Sequence, residues 1–452
     1  GAPAWAWREL HSGAGGALWA GQSPHLLPLA RLPPTAPPRE AEVQLPIYLL
    51  GLAGGYYAEE FGGGQLRPIR DAVVLEWAGG AGGVRSARAV ELPGDEHPLL
   101  HGAAKARLAD GSFLFFGGGN PAESSSAVSR LRVHPALQRA PADSAEVARL
   151  LDEAGGPHSR WAAVRQPDGT VSLLAPDRAA PPLSWSGVTP AGPSAPSARH
   201  GLHACVAPDS GEFVIFGGRG DARSPGCCND VWAFDHANDA RPSWREVRTR
   251  GTAPPPKVWY GAAVVAGGND WIIYGGSQWQ FEEDDAMDAG VVWVLALRTA
   301  TWSCCAPAAG SPSPELLIAC SLVEVAGGIV VLGGCMPHKL GQVRDHARAF
   351  ERCHLWYSSL ARLWRFDLVA QRWDCEGSSW SGVPEPADTL LRSHAAALVV
   401  PGGAGARVLL FGGSRYFTGA YFHDLLELSR DGAGSTAAPG AGGARRPSDG
   451  AR

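Results

Sequence analysis

The sequence predicts an all-β ring, a β-propeller of six four-stranded blades, and three observations carry that reading. One phrase recurs, a short apolar run closed by two glycines: Phe113–Gly118, Phe213–Gly218, Trp271–Gly276, Ile329–Gly334 and Val408–Gly413, with a looser copy at Leu49–Gly55. The first glycines of the three central copies are evenly spaced (275 − 217 and 333 − 275 are both 58), and a fixed period of this size marks an array or a propeller. The two ends of the chain are also complementary, because the last repeat lacks a strand that the first residues can supply.

Each repeat opens on a turn signal and continues into two alternating segments. Pro196–His200 leads into Gly201–Ala207, a turn at Pro208–Glu212 and the Phe213 run; Thr252–Lys257 leads into Val258–Ala266, the turn Gly267–Asp270 and the Trp271 run. Such a pair of segments around a Gly/Asn/Asp turn reads as a β-hairpin. A loop of variable length then reaches a third strand, at Asp71–Trp77, Val128–Val133, Asn229–Phe234, Val291–Leu297, Leu363–Leu368 and His423–Leu428. A fourth strand, usually headed by Trp, follows at Trp244–Val247, Thr301–Cys304 and Arg372–Cys375, and Arg85–Leu92 fills that place in the first repeat. Four antiparallel strands per repeat make a propeller blade. Glycine at the end of the second strand permits φ > 0 and lets a neighbouring backbone approach closely. The 17 Trp residues are wedges suited to packing between blades.

The last repeat ends with its third strand, while the chain begins Trp5-Ala6-Trp7-Arg8-Glu9-Leu10, a close match to Trp244-Arg245-Glu246-Val247. A ring that completes its last blade with the N-terminal strand leaves no free edge there, and unpaired edges invite aggregation. Residues 1–430 therefore read as one propeller. Residues 134–184 break its rhythm. They contain an expected short helix at Ala145–Leu151 and a hairpin within Trp161–Ala175, turning at Pro167-Asp168-Gly169. They are either an insertion in the second blade, whose fourth strand then starts near Trp185, or a seventh, degenerate blade. Residues 431–452 are rich in Gly, Ala, Ser and Pro and read as a disordered tail.

With these motifs in place, the double glycine, third strands such as Asp230-Val231-Trp232-Ala233-Phe234-Asp235 and the Trp that opens the fourth, the chain resembles the kelch-repeat β-propellers of the galactose oxidase-like central-domain superfamily. The resemblance spans roughly residues 1–430 and implies the fold. It does not choose a function, because that family includes enzymes, adaptors and scaffolds.

Bulk properties exclude other classes. In 452 residues, a hydrophobic content of 45% suffices for a core, and 59 Gly with 37 Pro punctuate short apolar runs, as in turn-rich β folds. A formal net charge of −5 leaves no basic footprint for nucleic acid. No apolar run reaches the ~18 residues of a membrane span. Nine cysteines, two pairs of them adjacent (Cys227-Cys228 and Cys304-Cys305), do not form a spaced disulfide framework and point to reduced thiols. The expected location is the cytoplasm, with the nucleus left open. No secretory leader is visible at the start. The chain opens on Gly1, so a preceding module also stays open.

Candidate binding residues sit on the loops between second and third strands. These are Arg219 and Arg223, Trp279 beside the acidic run Glu282–Asp285, and Arg415, Tyr416 and Phe417. Arg and aromatic residues are typical binding anchors. In an antiparallel four-stranded blade the 2–3 loops and the 4–1 connections share one face, so Arg199, Lys257, Trp259 and Arg392 are expected there too. Cys335, His338, His346 and Cys353, on one long loop, are candidate zinc ligands by residue type, but no paired Cys-x-x-Cys supports them. No hydrolase or phosphate-loop signature appears. The expectation is a non-enzymatic interaction module, without cofactor, that binds a protein partner through its 2–3 loop face as a scaffold or substrate-recognition adaptor. The alternative is a propeller enzyme, such as a metal-dependent oxidase or a sugar-acting enzyme.

Overall fold

A computed structural model describes residues 5–11, 24–29, 47–52, 71–77, 84–91, 100–119, 123–138, 162–165 and 171–174, and all but a few short stretches of 183–430, the longest of these being 279–287, 337–356 and 381–390. The described strands form six blades in a ring. Blade 1 comprises His25–Pro28, Ile47–Leu52, Asp71–Trp77 and Val84–Glu91; blade 2 comprises Ala104–Arg107, Phe113–Phe116, Val128–Val133 and Leu183–Val188. Blade 3 is His203–Val206, Phe213–Phe216, Val231–Asp235 and Ser243–Glu246, and blade 4 is Val258–Val264, Asp270–Ser277, Val292–Ala296 and Thr301–Cys305. Blade 5 is Ser321–Val325, Gly328–Leu332, Arg362–Asp367 and Arg372–Trp380. Blade 6 takes Ala396–Gly402, Gly405–Phe411 and Leu425–Arg430 from the end of the chain and Trp5–His11 from its start.

The core is divided among the seams of the ring. Among the described residues six clusters of buried apolar residues occur, and each straddles one pair of neighbouring blades. The second strands of blades 2, 3 and 5 are buried on both faces, which is why they read as unbroken apolar runs rather than an alternation. In blades 3, 4 and 5 the Trp of the fourth strand is the wedge. Trp244 meets Phe116 of the preceding blade at 5.0 Å, Trp302 meets Phe216 at 5.0 Å and Trp373 meets Tyr274 at 5.1 Å. In all three pairs the partner is the aromatic residue just before the double glycine. Edge-to-face and tilted pairs of this kind add about 0.5–1.5 kcal/mol each to the area they bury.

The double glycine also locks blade to blade. The second glycine donates its N–H to a carbonyl at the start of the next blade: Gly118 to Arg199, Gly218 to Lys257, Gly276 to Leu317 and Gly334 to Arg392. At the first glycine φ is positive, and a Cβ there would lie 2.1–2.9 Å from that same carbonyl. Only glycine fits that approach.

Ring closure occurs as the sequence predicts. Trp5–His11 pairs antiparallel with Leu425–Arg430. It also pairs in parallel with Ser378–Trp380 at the end of blade 5, which makes blades 5 and 6 one continuous sheet. The same parallel link recurs where Arg250–Gly251 meets Thr301–Trp302, and where Ala191 meets Ser243. The N-terminal strand thus takes a regular fourth-strand place, linked on both sides.

The ring has six blades, not seven. Leu183–Val188 pairs with Val128–Val133 as the fourth strand of blade 2, and Ala162–Arg165 with Val171–Leu174 forms a separate two-stranded hairpin. The expected helix at Ala145–Leu151 and the tail 431–452 lie outside the described residues. Most third strands begin one or two residues off the expected position. In blade 3 the strand starts at Val231, after Asp230, whose carboxylate accepts from Arg199 and from the Trp232 indole.

Candidate functional site

First strands line the axis, because they stand at the inner end of each sheet and contact one another around the ring. In blades 2 to 6 one residue at or just before the start of the first strand has left-handed backbone: Gly102, Gly201, Trp259, Ala319 and His394. These residues are hydrogen-bonded in sequence around the axis. Gly201 N–H donates to Gly102 O, Trp259 to Gly201, Ala319 to Trp259 and His394 to Ala319, at 2.6–2.8 Å. The result is a backbone hoop at the mouth of the central channel, on the face that carries the 2–3 loops.

Two of the five positions hold glycine, the residue this backbone prefers. Trp259 (φ 57) and His394 (φ 58) are bulky residues held there. Such strain costs on the order of 1–3 kcal/mol and gathers at functional sites. The glycines beside Trp259 show what the strain accomplishes. A Cβ on Gly201 would lie 3.1 Å from the indole, and one on Gly102 only 2.7 Å from its Cη2. The indole therefore lies across both glycine backbones, half-buried and facing the axis.

Histidines surround it. Trp259 lies 4.9 Å from His394, 5.1 Å from His101 and 5.7 Å from His200, centroid to centroid, and His101 stacks against His394 at 6.3 Å. Burial, and then the neighbouring His101, push His394 down to about 3. Burial, His101 and Arg219 push His200 down to about 3 as well, with Asp221 acting the other way. Both rings are neutral at physiological pH. His200 Nδ1 is 2.9 Å from Ser124 Oγ, and Asp221 accepts from Ser124 N–H at 3.3 Å. The mouth is thus an aromatic and imidazole platform with one buried carboxylate at its side.

The structure places the sequence-predicted residues unevenly. Arg219 is half-buried at the rim, in backbone bridges with His200 and Cys227. Arg415 is half-buried in a small hairpin, Ser414–Arg415 against Ala420–Tyr421. Ser393 bridges Ser414, which ties this hairpin to the hoop. Arg223, Trp279, Tyr416 and Phe417 lie outside the described residues, as do His338, His346 and Cys353. Cys335 is buried, bridged to Ile318 and Tyr357. Among the described residues, no group of three or more His, Cys, Asp or Glu is placed to hold a metal ion.

Three expected members of the face are corrected. Arg199, Lys257 and Arg392 are buried, at 2%, 3% and 1% exposure, and each pairs with an acidic residue of its own blade: Asp230, Asp288 and Asp424. Arg199 and Arg392 also donate to the carbonyls of Gly217 and Gly412, the first glycine of each pair. They brace the blade and present no charge to a ligand.

Sequence reading named Trp259 but missed His101, His200 and His394. A signal was present. Aligning the repeats at the start of the first strand puts Gly102, Gly201, Trp259, Ala319 and His394 in one column, where two large side chains stand among glycines and alanine; this flags His394 but not His101 or His200.

The family description "KLHDC2/KLHL20/DRC7 Kelch-repeats domain" matches residues 180–413, just over half of the chain. No curated protein matches it.

Proposed function

Because the chain belongs to the KLHDC2/KLHL20/DRC7 kelch-repeat family, we propose that it is a non-enzymatic recognition module, a scaffold or substrate-recognition adaptor, that holds a protein partner on its 2–3 loop face. Kelch domains typically mediate protein interactions, which supports the coarse reading. One observation carries the finer one: Trp259 is held in a strained conformation over two glycines at the centre of that face. Binding energy concentrates in central aromatic and Arg anchors ringed by contacts that exclude water. Trp259 fits the anchor, with Arg219 and Arg415 at the rim. The exposed thiols at Cys304 and Cys375 support a reducing compartment, the cytoplasm.

The test is Trp259→Gly. Glycine already occupies two equivalent hoop positions, so the backbone is relieved rather than strained. Capture of the natural partner from a cell extract should weaken by tenfold or more, as for a hot spot worth ~2 kcal/mol, with the melting temperature little changed. Arg219→Ala and Arg415→Ala should weaken it less. Full binding in all three, with loss of binding in Val369→Glu on the opposite face, overturns the assignment; Val369 is 93% exposed there.

A further inference from the structure

Deeper in the channel than the hoop, three basic side chains from neighbouring first strands come together. Lys105 Nζ of blade 2 lies 2.6 Å from Nδ1 of His25 in blade 1. His25 Nε2 lies 2.8 Å from the Leu100 carbonyl and donates to it, so Nδ1 is the acceptor from Lys105. Lys105 in turn acts electrostatically on His203 of blade 3. A lysine has three donors, and His25 takes one.

The remaining neighbours are neutral or basic. His101 acts on His25 from the mouth. The Tyr260 hydroxyl of blade 4 accepts from His203 N–H at 3.0 Å and donates to the Phe216 carbonyl at 2.6 Å. Among the described residues, no carboxylate contributes to the shifts of Lys105, His25 or His203. The contrast with Arg199, Lys257 and Arg392, each matched to an Asp, is sharp. Buried charges are normally paired, and here the partner is not supplied by the described chain.

Solvent reaches the site. His203 is exposed to the channel although the ring encloses it, and Lys105 is half-buried. Around the same level the first strands of blades 3, 4 and 6 carry only the small side chains Ala204, Ala262 and Ala397, each half-buried.

We propose that Lys105, His25 and His203 form a binding site for a small inorganic oxyanion of the phosphate type inside the channel. The negative charge of such an oxyanion matches the cation on Lys105, which no carboxylate of the described residues offsets. The two remaining Lys105 donors and the imidazole N–H of a neutral His203 would bind it, and His25 would hold the lysine in place. Burial lowers the amine to about 8, so the charged form is within reach at neutral pH.

The experiment compares potassium phosphate with potassium chloride at matched ionic strength, pH 7.4, by isothermal titration and thermal shift on the full chain. Wild type should bind phosphate, and Lys105→Met should bind at least about tenfold more weakly, the loss of one charge-assisted hydrogen bond. Lys105→Met removes a secluded cation without shortening the side chain, so its fold is not at risk. His203→Ala should weaken binding to a similar degree. Raising the pH to 9.5 should weaken wild-type binding, because the amine then loses its proton. Wild type with no preference for phosphate, or Lys105→Met and wild type binding equally, overturns the site.

Discussion

The Arg392 guanidinium grips both carboxylate oxygens of Asp424, at 2.7 and 2.9 Å, inside blade 6. Arg199 grips Asp230 in the same way in blade 3, at 2.6 and 3.1 Å. In both, the arginine precedes the first strand and the aspartate precedes the third, so one ion pair ties the entry of the blade to its middle. Removing one partner leaves an uncompensated buried charge. Arg392→Ala should therefore destabilise the ring by about 3–5 kcal/mol in denaturant unfolding. Arg298→Ala, whose pair with Asp209 is exposed on both sides, should cost less than about 1 kcal/mol. Equal losses at the two sites would contradict the bracing role.

Deleting Gly1–Ser12 removes the fourth strand of blade 6 and its parallel link to blade 5. The melting temperature should fall sharply, and the shortened chain should aggregate on heating, since two sheet edges are exposed at once. An unchanged melting temperature defeats the closure argument.

Acid should unfold the ring early. Burial holds His200 and His394 near 3. The unfolded chain takes up these protons near pH 6.5 and the folded chain does not. A histidine with a depressed folded value costs stability as pH falls below its unfolded value. Stability should thus be intact above pH 7 and decline from about 6.5 down to about 3, by up to about 1.4 kcal/mol per pH unit for each histidine. Replacing His200 and His394 by Asn should flatten the melting temperature against pH over that window. A decline that is just as steep in the double variant assigns it elsewhere.

The thiols should separate by position. Cys304 and Cys375 are exposed and should react with a maleimide within minutes in the native state. Cys205, Cys320 and Cys335 are buried, and burial raises all three thiols, Cys320 and Cys335 to about 12. They should stay unlabelled until denaturant is added. All nine should then react without a reductant. Mapping by mass spectrometry checks both statements, and labelling of Cys320 at the rate of Cys304 contradicts the first.

Much of the ring was legible in the chain. Asp71–Trp77 and Val128–Val133 match their expected bounds, and the 162–174 hairpin has its strands on either side of the expected Pro-Asp-Gly turn. Alternation, turn chemistry and Trp placement are local properties that survive into any fold. The site was much less legible. Arg199 and Arg219 are equally cationic in the sequence, yet one is sealed against Asp230 and the other stands at the rim.

By itself, then, the sequence determined the blade pattern: the double glycines, the Trp wedges, and the N-terminal strand that closes the last blade. These are encoded in short segments whose burial repeats from blade to blade. Only the tertiary structure decided what lies at the axis. Gly102, Gly201, Trp259 and His394 are far apart in the chain, and each has its own local turn. They become one surface because the ring brings every first strand to the centre, where the backbone hoop joins them. No periodicity within one repeat carries that information, since the contacts run between blades.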